Sequence, residues 1–298
     1  GKEQFHSQIS IWLTERLPFA KSGAKVLTLK RTGNGAALAG VDEKTGPDSR
    51  EAYSIKITPS GAEVTANSSA GLFYGAQTIL QLAEGEGAAA ALPSVEIKDY
   101  PSLAYRGFMM DMSHGGLPTE DEVKRQLDFL ARWKANQYYF YSEVSIEFKG
   151  HPLLNPTARF TQDQIRRIVA YGRERHIDVV PCVELYGHLH DVFRLEKYAD
   201  LAPLRYGGEF DPRNPVTLLT IADWVGQLVN IFPSPFFHIG MDETYELEKV
   251  ASVAAGGVAP GQLYIDHFKK VARIVQGHGK RPMIWADILT HYPEVIPE

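Results

Sequence analysis

Apolar and polar residues follow two rhythms along this chain, and the change falls near residue 100. Residues 26–30, 53–58 and 62–66 alternate apolar with polar, the period of a strand with one buried face. Pro59-Ser60-Gly61 lies between the last two and predicts a hairpin. Over 69–82 the period lengthens, with Leu72, Ala76, Ile79, Leu80 and Leu82 at helical spacing. The Gly/Ala-rich run 85–91 predicts a loop before a strand at 94–98. Strands with one helix predict a small α+β domain over 1–100, ended by Tyr100-Pro101.

From there strand and helix alternate. Strands are predicted at 106–112, 137–142, 178–185, 236–240 and 281–288, and helices at 119–134, 161–176, 216–231 and 261–277. Thr119 with Glu122, and Thr161, stand where helix caps belong. Such alternation predicts the α/β class with a parallel sheet, open or closed into a (β/α)8 TIM-type barrel. No glycine-rich phosphate loop follows any strand, which argues against a nucleotide-binding open sheet. Polar and aromatic residues gather at the C-terminal strand ends: Asp111, Glu143, Glu184 with His188, Asp242 with Glu243, and Trp285 with Asp287. In a barrel that is the catalytic face. The expectation is a barrel domain over 101–298 with about five of its eight strands visible. The rest would come from a missing C-terminal segment or a second chain.

Composition adds exclusions. The 298 residues are 44% hydrophobic and 22% charged, as in ordinary globular proteins. A net charge of −5 gives no case for nucleic acid or an anionic membrane surface. No apolar run approaches the ~20 residues of a membrane span. The start Gly-Lys-Glu-Gln carries no basic-then-apolar leader, and a removed export signal would leave the same start, so the compartment stays open. The single cysteine, Cys182, sits in an apolar run and reads as a core residue.

The stretch richest in candidate chemistry is Phe236-Phe237-His238-Ile239-Gly240-Met241-Asp242-Glu243-Thr244. Where a strand ends the backbone turns, and adjacent carboxylates can reach one cleft from different angles. Their mutual repulsion pushes their proton affinities apart, which is what acid catalysis requires. The competing reading is a helix N-terminus over 245–254, with Asp242, Glu243 and Thr244 as caps.

Four segments together resemble one family. His238-Ile239-Gly240-Met241-Asp242-Glu243 is similar to the His-x-Gly-Gly-Asp-Glu signature of family 20 glycoside hydrolases, the β-N-acetylhexosaminidases. Arg106-Gly107-Phe108-Met109-Met110-Asp111 resembles the family's first barrel strand. Val180-Pro181-Cys182-Val183-Glu184-Leu185-Tyr186-Gly187-His188 resembles its third, and Ser69-Ala70-Gly71-Leu72-Phe73-Tyr74-Gly75-Ala76-Gln77-Thr78-Ile79-Leu80-Gln81-Leu82 the helix of its preceding small domain. The chain departs from the pattern at Met241 (for glycine), at Met112-Ser113-His114 (for Ser-Arg-His), at Glu184 and Tyr186, and at Tyr141 and Glu143. The departures suggest a divergent subgroup with an altered pocket and leave the Asp-Glu pair intact.

The resemblance implies a retaining exo-β-N-acetylhexosaminidase acting by substrate assistance, without a cofactor, on carbohydrate ending in a β-linked N-acetylhexosamine. It makes Glu243 the general acid/base and Asp242 the group that orients the substrate's acetamido N–H. Arg106 is expected to bind sugar hydroxyls, or else to make a structural ion pair with Asp111 or the sheet end. His188 is expected to bear on Glu243, Glu184 to hold His188 or Arg106, and Trp285 with Asp287 to line the sugar subsite. A Tyr and a further Trp of the family pocket would lie on later strands. Two alternatives stay open: a non-catalytic carbohydrate-binding barrel, and a metal-dependent hydrolase using His188, His190 and Glu184.

Overall fold

The computed structural model describes residues 6–17, 26–35, 43–85, 89–254 and 257–297. The chain divides into two compact units. One comprises 1–108 with 123–137 and 170–178; the other comprises 109–122 with 138–169 and 179–298. Part of the predicted loop, 86–88, lies outside the described residues.

In the first unit, α1 (His6–Arg16) is followed by β1 (Val26–Gly35), β2 (Tyr53–Thr58), β3 (Gly61–Ser68), α2 (Ser69–Leu82) and β4 (Val95–Asp99). The sheet order is β1-β3-β2-β4. The expected hairpin pairs β2 with β3 antiparallel, from Tyr53↔Ala66 to Thr58↔Gly61. Ser68 caps α2 by accepting the Gly71 N–H at 3.1 Å. Ile55, Ile57 and Val64 from the sheet and Leu72, Phe73 and Ile79 from α2 are all buried, a core of sheet face against helix. Helix α1 was not anticipated; its apolar positions Ile9, Trp12 and Leu13 are buried but weakly patterned.

The remaining elements are β5 (Gly107–Asp111), α3 (Glu120–Arg132), β6 (Gln137–Ser142), α4 (Gln162–Glu174), β7 (Asp178–Val183), α5 (His190–Phe193), α6 (Pro215–Val229), β8 (Phe236–His238), α7 (Leu247–Ser252), α8 (Pro260–Gly277), β9 (Arg281–Met283) and α9 (Asp287–His291). The sheet order is β5-β6-β7-β8-β9. Pairing is parallel from β7 to β8 and from β8 to β9. Both threonine caps form: Thr119 Oγ1 accepts the Glu122 N–H, and Thr161 exchanges bonds with Gln164. Val123, Leu127 and Ala131 of α3 are fully buried at i, i+4 and i+8. Five strands in sequence order, with helices between them, form part of a TIM-type barrel. Cys182 is buried and free in β7. No helix among the described residues is long and apolar enough to cross a membrane.

Two local expectations are corrected. Strand β9 ends at Met283 rather than 288, because the Trp285 N–H turns onto Gly240 O at 3.1 Å and α9 begins at Asp287. The helix after Glu243 starts only at Leu247, and its N-cap position is Glu246, without a side-chain cap. Asp242 and Glu243 are therefore not helix caps.

Candidate active site

The loop after β8 is built to turn sharply. Gly240, Met241 and Glu243 all have positive φ, at 69°, 81° and 48°. Glycine tolerates this freely; a non-glycine residue there costs roughly 1–2 kcal/mol. Met241 is held by complete burial and by Tyr264, whose hydroxyl donates to Met241 O at 3.0 Å. Glu243 is held by Asp287, which accepts its backbone N–H at 3.0 Å. A Cβ on Gly187 would stand 2.7 Å from Asp242 O, so glycine lets the loop after β7 press against this one. His188, next in sequence, also has positive φ at 58°.

These turns bring His188 between carboxylates. Its Nε2 lies 3.3 Å from Asp242 Oδ2 and 3.5 Å from Glu243 Oε2, and its Nδ1 lies 3.8 Å from Glu143 Oε1. The bond to Asp242, opposed by partial burial, raises the His188 pKa and favours imidazolium. Burial raises the proton affinity of Asp242, but the contact and charge of His188, with a backbone N–H and Glu184 beside it, outweigh burial and leave the pKa lowered. Asp242 is thus held ionised, while the Glu243 side chain is 49% exposed and reachable.

The end of β5 and the turn after β6 extend the cluster. Asp111 accepts His114 Nδ1 at 2.7 Å and the N–H groups of Ser113 and His114. His114 Nε2 lies 3.5 Å from Glu143 Oε1, and the Tyr141 hydroxyl reaches the same oxygen at 3.3 Å. Burial raises the Glu143 pKa against the lowering influence of both histidines. Glu184 is fully buried, and its pKa is driven well up by that burial and by the charge of Asp242.

Of the expected site residues, the structure gathers Asp242, Glu243, His188, Glu184 and Asp287. Trp285 stacks obliquely on buried His238, ring centroids 4.7 Å apart, so one face is taken by the protein. Burial lowers the His238 pKa to about 4 and leaves that ring neutral.

Arg106 is not gathered with them. It precedes the first residue of β5, at the opposite end from Asp111, and its donors are spent within the first unit. They go to Glu51 at 2.5 Å, Leu103 O at 2.7 Å and Lys134 O at 2.7 Å. Arg106 is thus committed to a structural ion pair, and its partner is Glu51 rather than the expected Asp111. Glu184 holds neither His188 nor Arg106; it meets Asp242. His114 and Tyr141 were read only as departures, and Glu143 was placed on the catalytic face without a role. Their shared position at strand ends was the available signal. For the metal reading, no group of three or more His, Cys, Asp or Glu among the described residues is arranged to hold an ion. The His190 ring instead lies over Gly208.

The profile of the glycosyl hydrolase family 20 catalytic domain matches residues 103–298, and that of family 20 domain 2 matches 11–100. The chain belongs to glycosyl hydrolase family 20. It is 32% identical to a beta-hexosaminidase of Porphyromonas gingivalis over 87% of this chain and 38% of that protein. A Vibrio furnissii beta-hexosaminidase is 26% identical over 76% of the chain and 42% of its own length. Among solved structures, Flavobacterium johnsoniae chitobiase matches with a TM-score of 0.81 and 26% identity, over 97% of this chain and 48% of that one. Streptomyces plicatus N-acetyl-beta-hexosaminidase, in complex with Thio-NAglucal, matches at 0.76 and 25%, over 96% and 59%. The chain thus spans about two fifths of these curated relatives and about half of these structural ones.

Proposed function

We propose that the protein is a retaining exo-β-N-acetylhexosaminidase that removes terminal N-acetylglucosamine or N-acetylgalactosamine with help from the substrate's own acetamido group. The observation that carries this reading is the contact of one imidazole with both Asp242 and Glu243. It supports an ionised Asp242 beside a reachable Glu243, two carboxyls with different tasks.

In the first step the acetamido oxygen bonds to the anomeric carbon as the glycosidic C–O bond breaks. Glu243 gives its proton to the departing oxygen. Asp242 accepts the acetamido N–H and stabilises the positive charge that develops on the oxazolinium ring. In the second step Glu243, now ionised, takes a proton from water as that water bonds to the anomeric carbon. The C–O bond of the ring intermediate breaks, the acetamide is restored, and the second inversion returns the original configuration. His188 keeps Asp242 charged throughout. The chemistry needs no cofactor.

The test is hydrolysis of p-nitrophenyl N-acetyl-β-glucosaminide against the β-glucoside lacking the acetamido group. The first is expected to be cleaved and the second not. Glu243→Gln is expected to lose about 10²–10⁴ in rate on a natural oligosaccharide, whose leaving group needs the proton. Asp242→Asn is expected to lose turnover on both N-acetyl substrates. Cleavage of the plain glucoside at a comparable rate would overturn substrate assistance. Sugar binding without any turnover would support a non-catalytic barrel instead.

A further inference from the structure

Among the described residues of the second unit, both oxygens of Glu184 and Oδ1 of Asp242 are buried without a hydrogen-bond partner, as is one oxygen each of Glu209 and Glu246. The Glu184 and Asp242 side chains are within hydrogen-bonding reach of each other, and the one backbone donor near Glu184 is the Met241 N–H. Glu184 is wholly inaccessible to solvent. A Cβ on Gly240 would stand 2.0 Å from Glu184 Oε2, so the carboxyl is packed flat against the loop that carries Asp242 and cannot swing away. The titratable groups facing it are Tyr141 and Glu143 from β6 and the turn after it, Cys182 from its own strand, Asp242, and Tyr264 from α8. None of them is a cation. The imidazoles of the cluster point elsewhere: His188 at Asp242, Glu243 and Glu143, and His114 at Asp111 and Glu143.

A buried carboxylate with neither a cation nor sufficient donors is too costly to persist, and two such groups in contact bind a proton between them. We propose that Glu184 is a positioning residue for Asp242: it stays protonated and donates that proton to the Asp242 carboxylate, locking its orientation. Asp242 is then clamped from two sides, by the Glu184 O–H and by the His188 imidazolium, and keeps its charge because Glu184 has given up its own. The longer arm of glutamate at this position, which the sequence marks as a departure from the family pattern, lets the acid reach under the loop at Gly240. This rests on the role of Asp242 proposed above.

The arrangement has a pH consequence. Once Glu184 ionises, two carboxylates face each other in a closed space and Asp242 is pushed out of position, so turnover is lost on the alkaline side. Glutamine at 184 keeps a donor of the same shape and cannot ionise.

The test compares the native full-length protein with Glu184→Gln, Glu184→Ala and Glu209→Gln. The last is included because Glu209, 3% exposed and with its pKa pushed up to about 8 chiefly by burial, contributes an acid of its own. Difference infrared spectra at neutral pH are taken in a Glu243→Gln background, which removes the catalytic acid's own proton, and are expected to show a protonated-carboxyl stretch that disappears when Glu184→Gln is added and survives when Glu209→Gln is added. Glu184→Gln is expected to keep kcat within about threefold and to lose the alkaline limb of the pH profile. Glu184→Ala is expected to lose kcat by about 10–100-fold, with KM little changed. Equal loss in Gln and Ala variants, or an alkaline limb that stays in Glu184→Gln, would overturn the proposal. Should Glu184→Gln not fold, the spectrum of the protein carrying Glu143→Gln, Glu209→Gln and Glu243→Gln together decides: a remaining protonated carboxyl supports the shared proton, and none overturns it. Inactivity of the native protein on N-acetyl sugars would sink the hexosaminidase reading, while the infrared bands would still decide whether Glu184 is protonated.

Discussion

Replacing Arg106 by Met separates a structural arginine from a substrate-binding one. Glu51, 4% exposed, takes Arg106 Nη2 at 2.5 Å and Asn136 Nδ2 at 3.0 Å. Asn136 also donates to Ala104 O and accepts the Arg106 N–H, so one side-chain network ties residues 51, 104, 106 and 136 together. Two unit charges at 2.5 Å attract with about 6–7 kcal/mol at an effective dielectric constant near 20, before desolvation is subtracted. Removing one partner of a buried pair costs about 3–5 kcal/mol, because the other is left charged and uncompensated. Arg106 retains 23% exposure, so the lower part of that range applies, and loss of its bonds to Leu103 O and Lys134 O adds to it. Arg106→Met is therefore expected to cost about 3–4 kcal/mol, a fall in Tm of roughly 6–15 °C. Glu51→Met with Arg106→Met is expected to cost less than the sum of the single changes, with a coupling of about 2 kcal/mol. Urea denaturation followed by tryptophan fluorescence measures the stabilities, and p-nitrophenyl N-acetyl-β-glucosaminide hydrolysis at 25 °C the kinetics. Turnover per folded molecule should be unchanged. A stability change under 1 kcal/mol with a tenfold rise in KM would refute the ion-pair reasoning and return Arg106 to the substrate.

The remaining expectations concern the site. His188→Gln removes the cation that outweighs the burial of Asp242, so the acid limb of kcat/KM should move to higher pH by about one to two units, from the ~1.5–3 kcal/mol of a charge-assisted bond; an unmoved limb would show that Asp242 needs no help from it. The same pair bears on stability with opposite signs. The His188 contribution, from a raised pKa, is lost as pH rises through its folded value, and that of Asp242, from a lowered pKa, is lost as pH falls through its own. Relative to His188→Gln, the wild type should hold its Tm advantage best in the mildly acidic range between. Met241→Gly relieves about 1–2 kcal/mol of left-handed strain but empties a fully buried side chain worth about 2–5 kcal/mol, for a net loss of up to roughly 4 kcal/mol in urea denaturation. A more stable glycine variant would mean that strain outweighs packing.

Much of the fold was readable because its signals are local. The hairpin of 53–66, α2 from its first residue to its last, the Thr119 and Thr161 caps and the order of the barrel strands all follow from period and turn chemistry within a few residues. Helix α1 escaped because its buried positions are few and its polar face is not sharply set off. Strand β9 was drawn too long because Ile284, Trp285 and Ile288 continue an apolar pattern that the backbone leaves. Arg106 was placed with the substrate although it stands at the wrong end of its strand; the rule that catalytic groups sit at C-terminal strand ends would have favoured His114 and Glu143.

By itself the sequence determined the α/β class, the repeating strand and helix, and the Asp242-Glu243 pair, since each is written in residues close together along the chain. Only the tertiary structure decided that His188 meets both carboxylates, that Arg106 belongs to Glu51, and that Glu184 is sealed against Asp242. Those facts depend on distances and burial between residues 54 to 58 positions apart, and proton affinity responds to what surrounds a group in space.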